Sequence, residues 1–183
     1  MTLKRLNVIA AVASNGGIGK ANKLPWKIRE DMDFFTRITT TAQEGRRNAV
    51  ILGRNTWASI PPKFRPLPNR INVIVSTQLE SVNEGVYLAR SFDDSIRLVE
   101  SLHDDGLVDE VFVIGGSRIY EAALEQKAYP VRIYCTHIMR DFDCDVFFPS
   151  LDWQQLRSVK LDTVDSCVKH CGDIEFRFAV YDL

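Results

Sequence analysis

The chain has 183 residues, 45% of them hydrophobic, which is enough for one well-buried domain and short for two. Its 23 basic residues nearly balance its 24 acidic residues, and no block of like charge stands out. A nucleic acid or a membrane surface is therefore not an expected primary partner, whereas a small molecule is. We expect a single domain over residues 1–183, without a membrane span and located in the cytoplasm.

The cysteines and histidines of this sequence do not match the spacing of a metal-binding site or of a catalytic triad. Cys135, Cys144, Cys167 and Cys171 lack the paired spacing of a zinc site, and reduced thiols of a cytosolic protein are the better interpretation. The histidines have no acid or thiol at a spacing that indicates a catalytic triad. No metal is expected.

Strands and helices are predicted to alternate along the chain. Apolar runs predict strands at 6–12, 49–53, 71–75, 86–89, 110–114 and 131–138, and helical periodicity predicts helices at 28–39, 93–103 and 117–124. Segments 155–161 and 174–181 suggest a closing antiparallel pair, while 60–69 contains four prolines and should be irregular. The prediction is an α/β domain with a central, mostly parallel sheet flanked by helices and an antiparallel C-terminal hairpin.

The first predicted helix carries an acid where an apolar residue belongs. At about 100° per residue, Asp31 falls in the middle of the apolar arc, and the neighbouring Glu30 does not. Burying an unpaired carboxylate is costly, so Asp31 needs a strong partner or a proton. It could be kept to bind a ligand. Alternatively, it pairs with a distant arginine or lysine, or the helix is rotated from this register.

A glycine-rich loop precedes this helix. The sequence Gly17-Ile18-Gly19 begins like a dinucleotide fingerprint, but Asn22 occupies the third glycine position. Lys20 is not followed by the serine or threonine of a phosphate-binding P-loop. The glycines could form only a flexible turn. Together with the apolar Leu24-Pro25-Trp26 segment they also suit a lid that opens and closes.

Several predicted strands end in residues that suit anions. Gly53 leads into a helix beginning near Arg54, Ser76 and Thr77 end another strand, and Gly115-Gly116 joins a strongly apolar strand to a helix. Backbone N–H groups at such helix starts bind phosphates. The carboxyl ends of parallel strands share one edge of a sheet, so these groups are expected to meet in one crevice.

Taken together, these motifs resemble the dihydrofolate reductase family over nearly the whole chain. They are GIGKANKLPW at 17–26, Asp31 and Phe35, TTT at 39–41, GRNTWASIP at 53–61, RPLPNRINVIVS at 65–76, VFVIGGSRIY at 111–120 and DFDCDVFFP at 141–149. The length and the carboxyl third resemble the eukaryotic form, and the Trp26-to-Asp31 spacing resembles the bacterial form.

The resemblance implies hydride transfer from C4 of NADPH to C6 of dihydrofolate, with a proton delivered to N5. The implied catalytic residues are Asp31, which would anchor the pterin, Thr136, which would hydrogen-bond that carboxylate, and Trp26, which would hold a water. The implied substrate contacts are Ile9, Ala10, Asp31, Met32, Phe35, Ile60, Leu67, Arg70 and Thr136, with Arg70 on the glutamate tail. Dihydrofolate and antifolates are the implied small-molecule partners of a monomeric enzyme.

The implied NADPH site draws on several strand ends. Its residues are Ala11, Ile18, Gly19, Arg54, Asn55, Thr56, Ser76, Thr77, Arg90, Ile114, Gly115, Gly116, Ser117, Arg118, Ile119 and Tyr120. The family also implies cis peptide bonds at Arg65-Pro66 and Gly115-Gly116.

This sequence departs from the family at two positions that flank the 2′-phosphate of NADPH. Asn55 stands where a basic residue or histidine is usual, and Thr77 stands where eukaryotic members carry arginine. We expect NADPH with weaker discrimination against NADH. Two other functions stay open from the sequence, a related reductase of a ribosylated pyrimidine and a noncatalytic folate- or nucleotide-binding module.

Overall fold

The computed structural model describes residues 3–183. Its strands are β1 (Leu6–Ala13), β2 (Gly17–Gly19), β3 (Arg47–Gly53), β4 (Ile71–Val75), β5 (Val86–Ala89), β6 (Val108–Gly115), β7 (Val131–Ile138), β8 (Val146–Phe147), β9 (Arg157–Val159), β10 (Lys169–Cys171) and β11 (Ile174–Asp182). Its helices are α1 (Arg29–Thr40), α2 (Arg54–Ser59), α3 (Phe92–Asp104) and α4 (Ser117–Glu125).

Most strands belong to one central sheet with the order β10-β11-β7-β1-β6-β3-β4-β5, and β9 pairs with the other part of β11. The pairs from β7 to β5 are parallel, and β11 runs antiparallel to β7. The predicted fold class, a mostly parallel sheet with helices and an antiparallel carboxyl end, is therefore confirmed. Within residues 3–183 no helix is both long enough and apolar enough to cross a membrane.

The first strand lies at the centre of the sheet because both of its faces are apolar. Leu6 and Val8 are completely buried, and β1 is covered by β6 on one side and β7 on the other. Ile9 belongs to the core layer that contains Phe34 of α1, whereas Val8 belongs to the opposite layer with Tyr120 of α4. A continuous apolar run is typical of such a strand.

Helix α1 packs its apolar arc on the sheet. Phe34 is 3% exposed and stacks on Phe178 of β11 with ring centroids 4.0 Å apart. Burying a side chain of this size stabilises the fold by about 1.5–3 kcal/mol. The helix ends in three threonines, Thr39, Thr40 and Thr41, whose hydroxyls donate to carbonyls four residues earlier.

The structure differs from the predicted elements in three places. Segment 155–161 does pair with β11 through Val159 and Val180, but the tight hairpin is formed by β10 and β11 around Gly172, whose φ is +61°. The proline-rich segment contains a short 3₁₀ helix at Pro62–Phe64, where a proline suits the first turn. The glycine loop contains β2, which pairs with β8 in a separate small sheet.

Candidate active site

The carboxyl ends of the parallel strands meet at one edge of the sheet, as the sequence predicted. Leu52 at the end of β3 lies opposite Gly115 of β6, and Gly53 lies opposite Val75 of β4. The residue that follows β4, Ser76, is buried there. This edge also carries the end of β1, from which the glycine loop departs.

Asp31 is the buried acid of this region. It lies in the first turn of α1 and is 8% exposed, while Thr136 of β7 is 2% exposed. The Thr136 hydroxyl donates a hydrogen bond of 2.6 Å to Asp31 Oδ1. The other carboxylate oxygen, Oδ2, accepts no hydrogen bond from residues 3–183, so it can accept from a ligand.

The electrostatic surroundings of Asp31 favour its neutral form. Burial raises the pKa of Asp31, and the hydrogen bond from Thr136 opposes this rise. Among residues 3–183, no lysine, arginine or histidine forms an ion pair with this carboxylate. The alternative of a structural ion pair is thus excluded for the described chain, and Asp31 lies on the buried arc as predicted.

Trp26 lies at the end of the glycine loop and is 6% exposed. Its ring meets the Phe142 ring edge-on at 5.2 Å, while its Nε1–H has no acceptor among residues 3–183. A buried donor without a protein partner normally has a water or a ligand. This property fits the role implied for Trp26.

The residues proposed as apolar walls differ in their placement. Met32 is 50% exposed and Phe35 is half-buried on the open side of α1, while Ile60 and Leu67 pack partly against the same core layer. Ile9 is buried in that layer. The Ala10 side chain belongs to the opposite layer, with Val8 and Val12, so the structure does not bring it to these walls.

Arg70 is a buried cation that forms no ion pair with a carboxylate of the described residues. It is 6% exposed, its Nε donates to the Pro68 carbonyl at 2.9 Å, and its Nη1 donates to Thr39 Oγ1 at 3.0 Å. Burial lowers the pKa of this guanidinium. Its charge centre lies 5.9 Å from the centre of the Phe35 ring, so the cation borders the same open side of α1. Nη2 donates to no residue in 3–183, which leaves it for an anionic ligand.

Gly115 and Gly116 join β6 to α4 through a cis peptide bond, and Arg65-Pro66 is also cis, as the resemblance implied. A Cβ added to Gly115 would lie 3.2 Å from the Tyr120 hydroxyl, and one added to Gly116 would lie 3.5 Å from Thr56 Oγ1. Tyr120 is buried and donates to the Ile9 carbonyl at 2.8 Å. The glycines therefore leave main chain, rather than side chains, facing α2 and Tyr120.

The other residues predicted to bind a cofactor differ in their exposure. Ser117 begins α4, Thr56 is half-buried in α2, and Arg54, Asn55 and Arg118 are exposed. The half-buried members are Ala11, Ile18, Gly19, Ile114 and Ile119, and Ile119 packs against Gly53.

Ser76 and Arg90 also hold a turn together. Ser76 Oγ accepts from the N–H groups of Gln78 and Leu79, both at 3.1 Å. Arg90 Nη1 donates to the carbonyls of Ser76 and Leu79. Thr77, at the turn, is exposed.

Sequence reasoning missed the segment that holds the glycine loop. Phe148 N–H donates to the Gly16 carbonyl, Asp145 N–H donates to the Gly19 carbonyl, and Asp145 Oδ2 accepts from Ala21 N–H at 3.0 Å. A Cβ on Gly17 would collide with Cys144 Sγ, so glycine is required for this close approach. The DFDCDVFFP motif was the signal, although nothing local to it indicates its partner. Thr39, the partner of Arg70, was also missed.

These features define an α/β protein with a candidate small-molecule site at the carboxyl edge of its sheet, with a buried acid and a buried arginine on one side and a glycine junction on the other. The dihydrofolate reductase family model matches residues 5–182. Curated dihydrofolate reductases from Schistosoma mansoni and Rattus norvegicus are 48% and 40% identical to this chain. Each alignment covers 98% of this chain, and the two alignments cover 96% and 98% of the length of the respective relative. A solved Schistosoma mansoni dihydrofolate reductase superposes with a TM-score of 0.90 at 47% identity, covering 99% of each chain.

The chain belongs to the dihydrofolate reductase family. It is accordingly an enzyme, a reductase of dihydrofolate that uses a nicotinamide cofactor. The family, the fold class and the function that were predicted from the sequence are confirmed. The ribosylated-pyrimidine reductase and the noncatalytic module are not supported by these relatives.

Proposed function

We propose that this enzyme reduces 7,8-dihydrofolate to 5,6,7,8-tetrahydrofolate with NADPH, as a cytoplasmic monomer that also binds antifolates. The buried Asp31 carboxylate, which accepts from Thr136 and forms no ion pair within residues 3–183, carries this proposal. The 2-amino group and N3–H of a pterin are two adjacent donors, and a carboxylate offers two adjacent acceptors.

Asp31 would act through its charge. Without a ligand, burial favours the protonated carboxyl; two donors from the pterin would favour the carboxylate instead. Thr136 keeps Oδ1 oriented, and Oδ2 is available to the ligand. Trp26 would hold a water beside the ring through its Nε1–H, which has no acceptor among residues 3–183. Because Asp31 binds the side of the pterin away from N5, a water admitted by the glycine loop is the proposed donor to N5.

Arg70 would bind the α-carboxylate of the glutamate tail. A guanidinium matches a carboxylate with two parallel hydrogen bonds. Thr39 and the Pro68 carbonyl hold Arg70 on its protein side, and no acidic residue in 3–183 competes for it. Phe35, Ile60 and Leu67 would line the apolar space between Arg70 and Asp31, with Met32, Ile9 and the main chain of Ala10 nearer the pterin.

The residues around the glycine junction fit the phosphates of a dinucleotide. Bound NADPH supplies the hydride, from C4 of its nicotinamide. The start of α4 offers N–H donors, Thr56 faces Gly116, and Arg54 and Arg118 add positive charge. The Ser117 hydroxyl donates to the Phe147 carbonyl at 2.9 Å and would exchange this partner for a phosphate oxygen. Tyr120 and Ile18 would border the nicotinamide near Ala11. Ser76, Arg90, Asn55 and Thr77 would surround the 2′-phosphate.

One assay tests the proposal, the dihydrofolate-dependent oxidation of NADPH. Asp31→Asn keeps the shape but loses the anion and two charge-assisted hydrogen bonds, each of about 1.5–3 kcal/mol. We expect kcat/KM for dihydrofolate to fall at least about 10²-fold. Glu30→Gln, an exposed neighbour, is the matched control and should retain full activity. Unchanged turnover in Asp31→Asn, or no NADPH oxidation by the wild type, would contradict the proposal.

A further inference from the structure

A second cavity lies at the carboxyl ends of β1 and β7, mainly on the face of the sheet opposite Asp31. Side chains alternate along β7, so Thr136 faces α1 while His137 faces the other side. The cavity has a volume of about 470 Å³ and is bordered by His137, Met139, Trp153 and Arg177, together with Ser14 and Gly16 at the base of the glycine loop. This volume lies within the range of about 300–1,000 Å³ that is typical of small-molecule sites.

One wall of this cavity is aromatic. The Trp153 ring lies edge-on to the His137 ring at 5.0 Å and is 5.1 Å from the Tyr181 ring. His137 Nε2 and the Tyr181 hydroxyl share a hydrogen bond of 2.8 Å. Burial, and then the charge of Arg177, lower the pKa of His137 to about 4, so the imidazole is neutral at pH 7. The wall is therefore uncharged and suited to a flat ring.

Arg177 supplies the positive charge of the cavity. It is half-buried on β11, in the same register position as His137. In the described part of the chain, the arginines in ion pairs are Arg97, Arg132, Arg140 and Arg157. Arg177 has no such pair, and the dihydrofolate site does not use it. The neighbouring polar groups of the loop base are already occupied, because Ser14 N–H donates to the Arg140 carbonyl and Gly16 N–H donates to the Ala13 carbonyl.

We propose that this cavity is a second ligand site, which binds a small planar aromatic carboxylate. The ring packs on Trp153 and the carboxylate pairs with Arg177. A neutral aromatic compound leaves the half-buried guanidinium with the uncharged Tyr181 hydroxyl and no anion beside it, and an aliphatic acid leaves the aromatic wall uncovered. The bound acid also contacts Ser14 and Gly16, from which the glycine loop departs.

The test uses 2-naphthoate as the probe and 2-naphthamide as its neutral counterpart. The enzyme is first saturated with methotrexate and NADPH, so that Arg70 and the dihydrofolate site are not available. Binding is followed by NMR through the indole N–H resonance of Trp153, which Trp153→Phe identifies. We expect saturable shifts of this resonance with 2-naphthoate and at least tenfold weaker binding of 2-naphthamide.

Two variants separate the proposed contact from general charge. Arg177→Gln should weaken 2-naphthoate binding at least tenfold, whereas Arg97→Gln, which removes an exposed arginine of α3, should leave it unchanged. Amide spectra establish that both variants are folded. Equal binding of the acid and the amide, or equal binding by Arg177→Gln and the wild type, would overturn the proposal. The result is independent of the residues assigned to dihydrofolate.

Discussion

The Thr136 hydroxyl donates to the Asp31 carboxylate at 2.6 Å across 105 residues of sequence. This contact ties the first turn of α1 to the end of β7 and fixes one oxygen of the buried acid. The same burial that prepares the acid for a ligand makes its charge expensive in the empty protein. Function and stability are therefore expected to conflict at this residue.

The conflict predicts that Asp31→Asn is more stable than the wild type at pH 7. The folded pKa of Asp31 is raised above its ordinary value of 3.8, so Asp31 favours folding below that value. This contribution is lost as pH rises through the folded pKa. The stability advantage of Asp31→Asn should therefore grow from about pH 4 upward. Urea unfolding of both proteins across pH measures it, and a difference that does not vary with pH would contradict the prediction.

Arg70→Leu should separate binding from turnover. Loss of the paired guanidinium, about 1.5–3 kcal/mol, should raise KM for dihydrofolate about 10- to 100-fold with little change in kcat, because the glutamate tail is bound equally before and during reaction. Thr39→Val, which removes one hydrogen bond to Arg70, should raise KM less. A dihydropterin without the glutamate tail is the control substrate, and both variants should handle it like the wild type. An unaltered KM for dihydrofolate in Arg70→Leu would exclude the assigned role.

The contact between the glycine loop and Asp145 should control turnover. Asp145→Ala removes the acceptor of the Ala21 N–H. The loop conformation that is hydrogen-bonded to residues 145–148 should lose about 1 kcal/mol of stability. We expect kcat to fall several-fold and the amides of residues 17–22 to exchange faster with solvent. Asp143→Ala is the matched control, because the Asp143 side chain is 87% exposed and its ion pair with Lys20 is worth little. Equal kcat in the two variants would refute this role.

The exposed positions Asn55 and Thr77 offer a test of cofactor preference. Asn55→Lys and Thr77→Arg should each raise the NADPH to NADH ratio of kcat/KM, by up to about fivefold, as exposed ion pairs contribute about 0.2–1 kcal/mol. Gln43→Lys, near the start of β3 at the opposite edge of the sheet, controls for net charge. In the wild type NADPH should still be preferred. Equal kcat/KM for the two cofactors in the wild type would contradict that preference.

Local sequence predicted the main strands, helix α1 and the buried position of Asp31, since these depend on periodicity and apolar runs. It could not predict contacts that depend on how distant strands align. The Arg70 and Thr39 pair spans 31 residues. Strands β2 and β8 have only three and two residues, which is too short for a periodic pattern that would predict their pairing. The role of Thr136 came from the resemblance, because nothing in the sequence near Asp31 indicates a partner 105 residues away.

The position of β1 has a consequence for the synthesis of this enzyme. Strand β1 leaves the ribosome before its two partners, β6 and β7, which end at residues 115 and 138. Both edges of this apolar strand are open until β6 has been made, and one edge stays open until β7 has been made. A nascent chain stalled before β6 would therefore expose an aggregation-prone segment. A chaperone that covers residues 6–13 would protect this segment until its partner strands have been made.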